Sequence, residues 1–389
     1  NQFTEAINVA DIVRAQAQVR DLTLKGSTSF NMAWDELGPN NVGGRTRALL
    51  IDKDDPDLVF AGSVGGGFWK STTRGTSWTK AVTTDGGLFE NQVVSCMAQA
   101  SNGDIYVGTG EGLASADGQP DNQYFGLSGQ GIYVSTDRGN TFSRLASTWN
   151  NTSSQEAFVW VNAIATDPTN DSRVYAATRK GLKVSNDKGA NWTSAIAGLD
   201  SVAQDVIVAP NGTVFASIDN IAYRSADGTT FVKISEANGT DVGLINESAK
   251  MTRLKFAAAP SDANYVYCVA SALVGTSLTN SSLENIYQSL DNGLTWAVIG
   301  PGGSSSFQPY GTYGNYSMAL AVDPNDPTFI MTGGANMFSW SYKTGWERIT
   351  LDEPGGGNFF VNPYYTHRNQ HVISWSPSNS NIIYVGTNG

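Results

Sequence analysis

The sequence predicts an all-β fold built from a repeated unit of four short antiparallel strands. Three observations carry this. The first is composition: among 389 residues there are 42 Gly, 16 Phe and 10 Trp, with few helix-favouring stretches beyond the first twenty-five residues, the profile of a turn-rich β protein. The second is alternation of apolar and polar residues in short runs such as "GIYVS" and "IYQSL", bounded by turn residues. The third is self-similarity: "VSTDRGNTF" at Val134–Phe142 returns as "VSNDKGANW" at Val184–Trp192.

Laid out by eye, the unit reads apolar strand, Asp-Pro type turn, strand ending in Gly, strand, tight hairpin, aromatic-led strand. Its copies begin at Arg47, Val94, Asn162, Asp205, Leu254 and Met318, and a seventh begins at His371 and supplies two strands, "HVISWSP" and "IIYVGTNG". Four strands in each unit of about 40–65 residues is the arithmetic of a β-propeller with one unit per blade. The expectation is a seven-bladed β-propeller of four-stranded antiparallel blades occupying residues 29–389, its last blade incomplete. Residues 1–28 form a preceding helical or linker segment, with "EAINVADIVRAQAQVR" helical. "FNMAWDELGP" resembles an aromatic-led fourth strand and is expected to complete the last blade. Further domains beyond Gly389 are expected as well.

Charge and cysteine content narrow the function. A net charge of −11 with scattered Lys and Arg lacks the basic footprint that nucleic acid demands and disfavours anionic membrane surfaces. No run approaches the length of a membrane span. Cys96 and Cys268 sit in strands of different repeats and read as buried free thiols. An acidic surface rich in Asn, Ser, Thr and Gly, on a chain that opens without Met, suits a processed, secreted or cell-surface protein.

The recurring nonapeptide explains its own spelling. In Ser-x-Asp-x-Gly-x-x-Trp/Phe the carboxylate accepts hydrogen bonds from its own turn, Gly takes the left-handed conformation, and the aromatic enters the space between sheets. Asp137, Asp187 and Asp291 sit in full copies, Asp227 in one a residue shorter, and Ser71–Trp78 and Ser339–Trp346 keep only parts. The pattern resembles the Asp-box, or bacterial neuraminidase repeat, of sialidases, sortilin-type receptors and xyloglucanases. The opening "WDELGPNNVGGRTRALLIDKDDPDLVFAGSVGGGFWKS" looks like the first blade of large secreted bacterial propellers of this group. The resemblance runs from about Trp34 to the end. It implies a scaffold whose box acids are structural, not catalytic.

Function is expected on the rim that receives the joins between second and third strands and between units, where the long loops fall. "GEGLASADGQPDNQYFGLSGQ" brings Glu111, Asp117 and Tyr124. "GPGGSSSFQPYGTYGNY" brings Tyr313, and "EPGGGNFFVNPYYTHRNQH" brings Tyr365, His367 and His371. Aromatic faces beside carboxylates and amides suit a sugar. Alignment of the first strands puts Arg47, Ser95, Asn162, Gln204, Leu254, Met318 and His371 around the axial channel, with Arg45 and Arg253 adjacent. The ligand-binding candidates are therefore Arg45, Arg47, Tyr124, Asn162, Arg253, Tyr313, Tyr365, His367 and His371.

The partner expected is a glycan or glycoprotein, with a protein-interaction scaffold and a glycoside hydrolase as alternatives. For hydrolysis the resemblance implies either an arginine cluster with a Tyr–Glu pair, or two carboxylates. Arg45, Arg47 and Arg253 stand at suitable heights, but no Tyr–Glu pair is assignable. Where xyloglucanases carry Thr-Asp-x-Gly-Gly, Gly62–Gly66 has Ser63 in place of the aspartate. Glu111 and Asp117 remain as candidate acids. No cofactor is expected. "DKDDPD" raises structural calcium, which turn chemistry also explains, and His367 and His371, four apart, could ligate a metal if locally helical, with no third ligand identifiable and no metal assigned.

Overall fold

The computed structural model describes residues 44–87, 92–113, 126–150, 153–154, 156–237, 245–247, 251–275, 280–301, 307–350, 366–377 and 379–389. The expected N-terminal helix and closing strand, and candidates Asp117, Tyr124 and Tyr365, lie outside these residues.

The repeat folds as read. Sheet 1 runs Thr46–Ile51, Val59–Ser63, Phe68–Ser71, Thr79–Lys80. Sheet 2 runs Val94–Gln99, Ile105–Thr109, Ile132–Ser135, Ser143–Arg144, and sheet 3 Val161–Asp167, Asn170–Thr178, Gly181–Ser185, Thr193–Ser194. Sheet 4 runs Ala203–Val208, Val214–Ile218, Ile221–Ser225, Phe231–Lys233, and sheet 5 Met251–Ala258, Val266–Leu273, Ser281–Ser289, Ala297–Val298. Sheet 6 runs Ala319–Val322, Ile330–Gly333, Phe338–Ser341, Gly345–Arg348. Sheet 7 has two strands among the described residues, Val372–Ser376 and Asn379–Gly386. Within each sheet, strands pair with their chain neighbours in antiparallel order. Two small two-stranded ribbons and one short 3-10 helix, Glu156–Val159, complete the described elements.

The first strand of each sheet packs against the first strand of the next, and that of sheet 7 packs against that of sheet 1. The Thr46 N–H donates to the Thr387 carbonyl at 2.8 Å across this junction. Among the described residues, six four-stranded meanders and the two-stranded sheet 7 therefore stand around one axis. The apolar clusters lie between neighbouring sheets: Phe60, Phe68 and Phe142 join sheets 1 and 2, and Phe215, Phe256 and Trp296 join sheets 4 and 5. Burying both faces of every meander this way supplies the principal driving force.

The Ser-x-Asp-x-Gly hairpins act across those junctions as well as within their own turn. Asp137 accepts from the Ser135 hydroxyl (2.7 Å) and from the N–H groups of Asn140 (3.0 Å) and Thr141 (2.9 Å). Asp187 and Asp291 repeat the pattern. Asp227, in the shorter copy, takes the N–H groups of Thr229 and Thr230. Gly139 has φ 77°, and a Cβ there would stand 2.2 Å from the Phe60 ring of the preceding sheet. At Gly293 the obstruction is Phe215 of sheet 4, at 2.3 Å. The glycine is thus fixed by dihedral and by interface at once. The residue before it also adopts positive φ, as at Arg138, Lys188 and Asn292, and reaches back: Arg138 to Asp52, Lys188 to Asp104 (3.5 Å), Asn292 to Thr213 (2.8 Å). In return Tyr106, Tyr175 and Tyr384 donate to the carbonyls of Lys188, Gly228 and Arg74 in the following sheet.

A second belt lies at the other end of the axis. In sheets 1 to 5 the first strand carries a register shift next to its start, leaving Arg47, Ser95, Asn162, Gln204 and Thr252 unpaired in the ladder. Such a bulge re-aims one side chain, and here it points around the ring. Ser95 donates to the Val161 carbonyl, Asn162 to Ala203 (2.8 Å) and Gln204 to Thr252 (2.8 Å). The expected Leu254 is not a member. The first strand of sheet 5 runs longer, so its bulge falls at Thr252, while Leu254 pairs with Ala270 and is buried between sheets.

The turn "DKDDPD" is organised by its own acids. Buried Asp52 accepts from the N–H groups of Asp54 and Asp55 (3.0 Å each), from Gln99 (2.8 Å) and from Arg138. Burial pushes this carboxyl up, but Arg138, Gln99 and the two amides outweigh it and hold the pKa below the usual value. Both cysteines are free thiols. Burial raises Cys96 to about 12 and Cys268 well above its ordinary value, so neither offers a thiolate at neutral pH.

Two outcomes follow. Gly139→Ala should destabilise by about 3 kcal/mol, combining left-handed strain with overpacking. Gly198→Ala, with φ 75° but open space, should cost only about 1 kcal/mol; urea unfolding of the two variants gives the comparison. A carboxyl depressed in the folded state stabilises above its unfolded pKa near 4 and loses that contribution as pH falls through the folded value. Asp52→Asn should therefore flatten the acid limb of the stability–pH curve below about pH 4.

Candidate functional site

The bulge belt ends at a mouth where charge concentrates. Arg45 and Arg47 flank the start of the first strand of sheet 1. Glu111 follows the second strand of sheet 2 and is pinned there by reciprocal backbone hydrogen bonds with Leu127, 2.8 and 2.9 Å. Its carboxylate is 1% exposed and is paired with Arg45 and, at 3.1 Å, with Arg47. Between sheets 5 and 6 the segment from Phe307 crosses toward the axis and presents Tyr316. The Tyr316 carbonyl accepts from Arg47 and from Arg253, 3.1 Å each, and its hydroxyl accepts from Arg45 at 2.7 Å. Both Arg45 and Arg47 lie against the face of its ring, an arrangement in which ring quadrupole and guanidinium attract.

His371 closes the cluster. Its Nδ1 lies 2.9 Å from an Arg47 nitrogen and its Nε2 lies 2.7 Å from the Asn388 Oδ1. Arginine only donates, so Nδ1 accepts and the proton sits on Nε2. Asn388 Oδ1 also accepts from the Tyr316 hydroxyl at 3.2 Å. Burial first, and Arg47 next, push His371 well below its ordinary pKa. The imidazole is neutral at physiological pH and serves as an acceptor for Arg47.

Two arginines thus share one carboxylate and a third stands beside them on the Tyr316 carbonyl, leaving the mouth positive in an acidic chain. Burial and Arg47 pull Arg253 down to about 9, still protonated at neutral pH. Its Nε has no hydrogen-bond acceptor.

The sequence-derived candidates separate into groups. Arg45, Arg47, Arg253, Glu111 and His371 converge. Asn162 belongs to the belt: its amide donates to Ala203 and accepts from the Gly112 N–H at 3.1 Å. Tyr313 is 38% exposed and bridges to Ser281 rather than joining the arginines. His367 is exposed, with Nδ1 2.9 Å from its neighbour's carbonyl. It does not share a helix with His371, and among the described residues no three His, Cys, Asp or Glu form a metal-binding group. Ser63 receives the N–H groups of Gly65 and Gly66 (3.3 and 3.0 Å), turn chemistry only. Sequence reasoning missed Tyr316, Asn388 and Thr252. Tyr316 lay within a quoted loop holding three tyrosines, with nothing to single it out.

No family model and no curated protein matches the chain. Solved structures do. A GH74 xyloglucanase from Xanthomonas campestris shares 15% identity at TM-score 0.55, over 89% of this chain and 51% of its own. YCF48 bound to D1 peptide shares 12% at TM-score 0.53, over 89% and 91%. The extracellular domain of a one-component system from B. thetaiotaomicron shares 15% at TM-score 0.56, over 89% and 37%. The likeness is one of fold, the β-propeller. The chain spans about half the length of the glycoside hydrolases it matches. Among the described residues no helix is long and apolar enough to cross a membrane.

The neutral His371 yields a measurable consequence. The unfolded chain binds a proton on this ring below about pH 6.5, whereas the folded ring resists it, so stability is full above that pH and falls as pH drops below it. Urea midpoints at pH 7.5 and pH 5.5 should diverge for the parent protein and converge for His371→Gln.

Proposed function

We propose that the chain is a seven-bladed Asp-box propeller acting outside the cell, which recognises a glycan or glycoprotein through the rim of Arg45, Glu111 and Tyr316 without hydrolysing it. Fold-level likeness to glycoside hydrolases and to an extracellular domain supports a glycan-related role. The observation that carries the non-hydrolytic part is the state of Glu111. A general acid or base must reach the glycosidic oxygen or its attacking water. Glu111 is instead buried beneath Arg45 and Arg47, and Ser63 stands where xyloglucanases place an aspartate. The carboxylate's role is to hold two guanidiniums in fixed directions. Arg45, 23% exposed at its side chain, together with Asn388 and exposed Tyr313, offers donors, acceptors and an aromatic face to hydroxyls and pyranose rings.

A peptide or protein ligand on the same face is the second reading. It is favoured by the near full-length match to YCF48, a structure bound to a peptide, against the half-length match to the hydrolases.

A glycan panel assayed both for binding and for reducing-end release tests the proposal. Binding without release is expected. Glu111→Gln should lower stability by about 3 kcal/mol, the scale of breaking a buried ion pair, and produce no change in sugar release. Release by the parent protein that disappears in a folded Glu111→Gln variant would overturn the reading in favour of hydrolysis. Absence of glycan binding, with a defined protein partner recovered, would replace it by the second.

A further inference from the structure

The opposite end of the axis holds an apolar funnel that the rim reading does not use. Past the bulge belt, the first strands line a widening funnel of about 620 Å³ with Leu49, Met97, Ile207, Leu320 and Trp375, and prolines such as Pro210 and Pro324 form its edge. Inward lies a narrower cavity of about 190 Å³, walled by Arg47, Arg253, Lys255, His371 and Asp205. Leu49, Met97, Ile207, Lys255 and Val372 line both, so the two spaces adjoin along these side chains. The volume and the mostly apolar lining with a few polar groups match small-molecule sites.

The inner wall carries a charge surplus. Asp205 is committed to the Phe256 N–H at 2.8 Å and to Lys255 at 3.4 Å, and Arg47 shares Glu111 with Arg45. His371 is neutral. Arg253, 7% exposed, pairs with no carboxylate among the described residues, and its buried Nε lacks an acceptor. Asp205 and Glu111 act on Arg253 only through space; a buried cation without a direct partner is costly, and in a chain of net charge −11 this local excess lies beside an apolar funnel.

We propose that the axial funnel binds a small amphipathic anion, with an alkyl or aryl body against Leu49, Met97 and Trp375 and a carboxylate head drawn to Lys255 and Arg253. Complementary charge selects the head, and the apolar wall selects the body. The funnel opens at the other end of the axis from the proposed glycan-binding rim, and its inner wall shares Arg47, Arg253 and His371 with the mouth cluster.

Isothermal titration with decanoate, decanol and decyltrimethylammonium, all below their aggregation concentrations, tests this. Decanoate should bind with one site per chain, decanol at least ~10-fold more weakly, as expected when a charge-assisted contact is absent, and the ammonium not at all. Lys255→Met should weaken decanoate by a similar factor and erase its advantage over decanol. Ala321→Phe, which fills the funnel wall, should weaken both, with thermal unfolding confirming that each variant is folded. Equal affinity for decanoate and decanol, more than one decanoate per chain, unchanged affinity in Lys255→Met, or no decanoate binding would each overturn the proposal.

Discussion

The structure depends on hydrogen bonds that leave one sheet and end on the next. A four-stranded meander has two apolar faces and no partner of its own, so hydrophobic burial requires neighbours but does not fix their angle or height. Direction comes from two polar belts. At one end, bulged side chains such as Asn162 and Gln204 donate to backbone carbonyls of the following sheet. At the other, hairpin residues such as Arg138 and Asn292 reach back to the preceding sheet, while Tyr106 and Tyr175 reach forward. Directional bonds at both ends of each apolar interface convert a greasy contact into a defined one.

The same constraint shapes the chemistry at the mouth. Where the ring passes from sheet 7 to sheet 1 and on to sheet 2, the belt positions are His371 and Arg47, and their partners are charged or aromatic rather than backbone alone. Glu111 answers two arginines, Tyr316 answers three, and Asn388 links Tyr316 to His371. A carboxylate so engaged orients guanidiniums. A neutral imidazole beside a guanidinium follows from the same economy of donors, since an imidazolium would place two donors face to face.

The sequence made the scaffold legible because a repeat writes the same physics several times. Ser135, Asp137 and Gly139 are interpretable alone, but their return at Ser185, Asp187 and Gly189 marks a unit and its spacing. What the letters did not disclose was that Gly139 presses on Phe60, a residue nearly eighty positions earlier. The belt was legible in part. Aligning from the turn end placed Gln204 and Asn162 properly but chose Leu254, because a bulge can sit anywhere along a longer strand without altering the turn. The mouth was least legible. Arg47 and His371 sit in the repeat and could be aligned, whereas Tyr316 comes from a connecting segment between units, and Asn388 follows a repeated strand at a position where the second unit has Gly110. Tyr313 and Tyr316 differ only in where the backbone delivers them.

The belts also bear on covalent continuity. Each sheet is gripped by its neighbours through side chains and interleaved aromatics, and the peptide connection between consecutive sheets adds little that those contacts do not supply. The tight turn at Lys180 joins two strands of one sheet and itself carries neither a bulged belt side chain nor a Ser-x-Asp-x-Gly hairpin. A chain opened there and linked instead between Thr387 and Thr46, whose backbones already meet, would hold the same sheets in the same cyclic order, so the linear order of the units is one of several equivalent ways to write this ring.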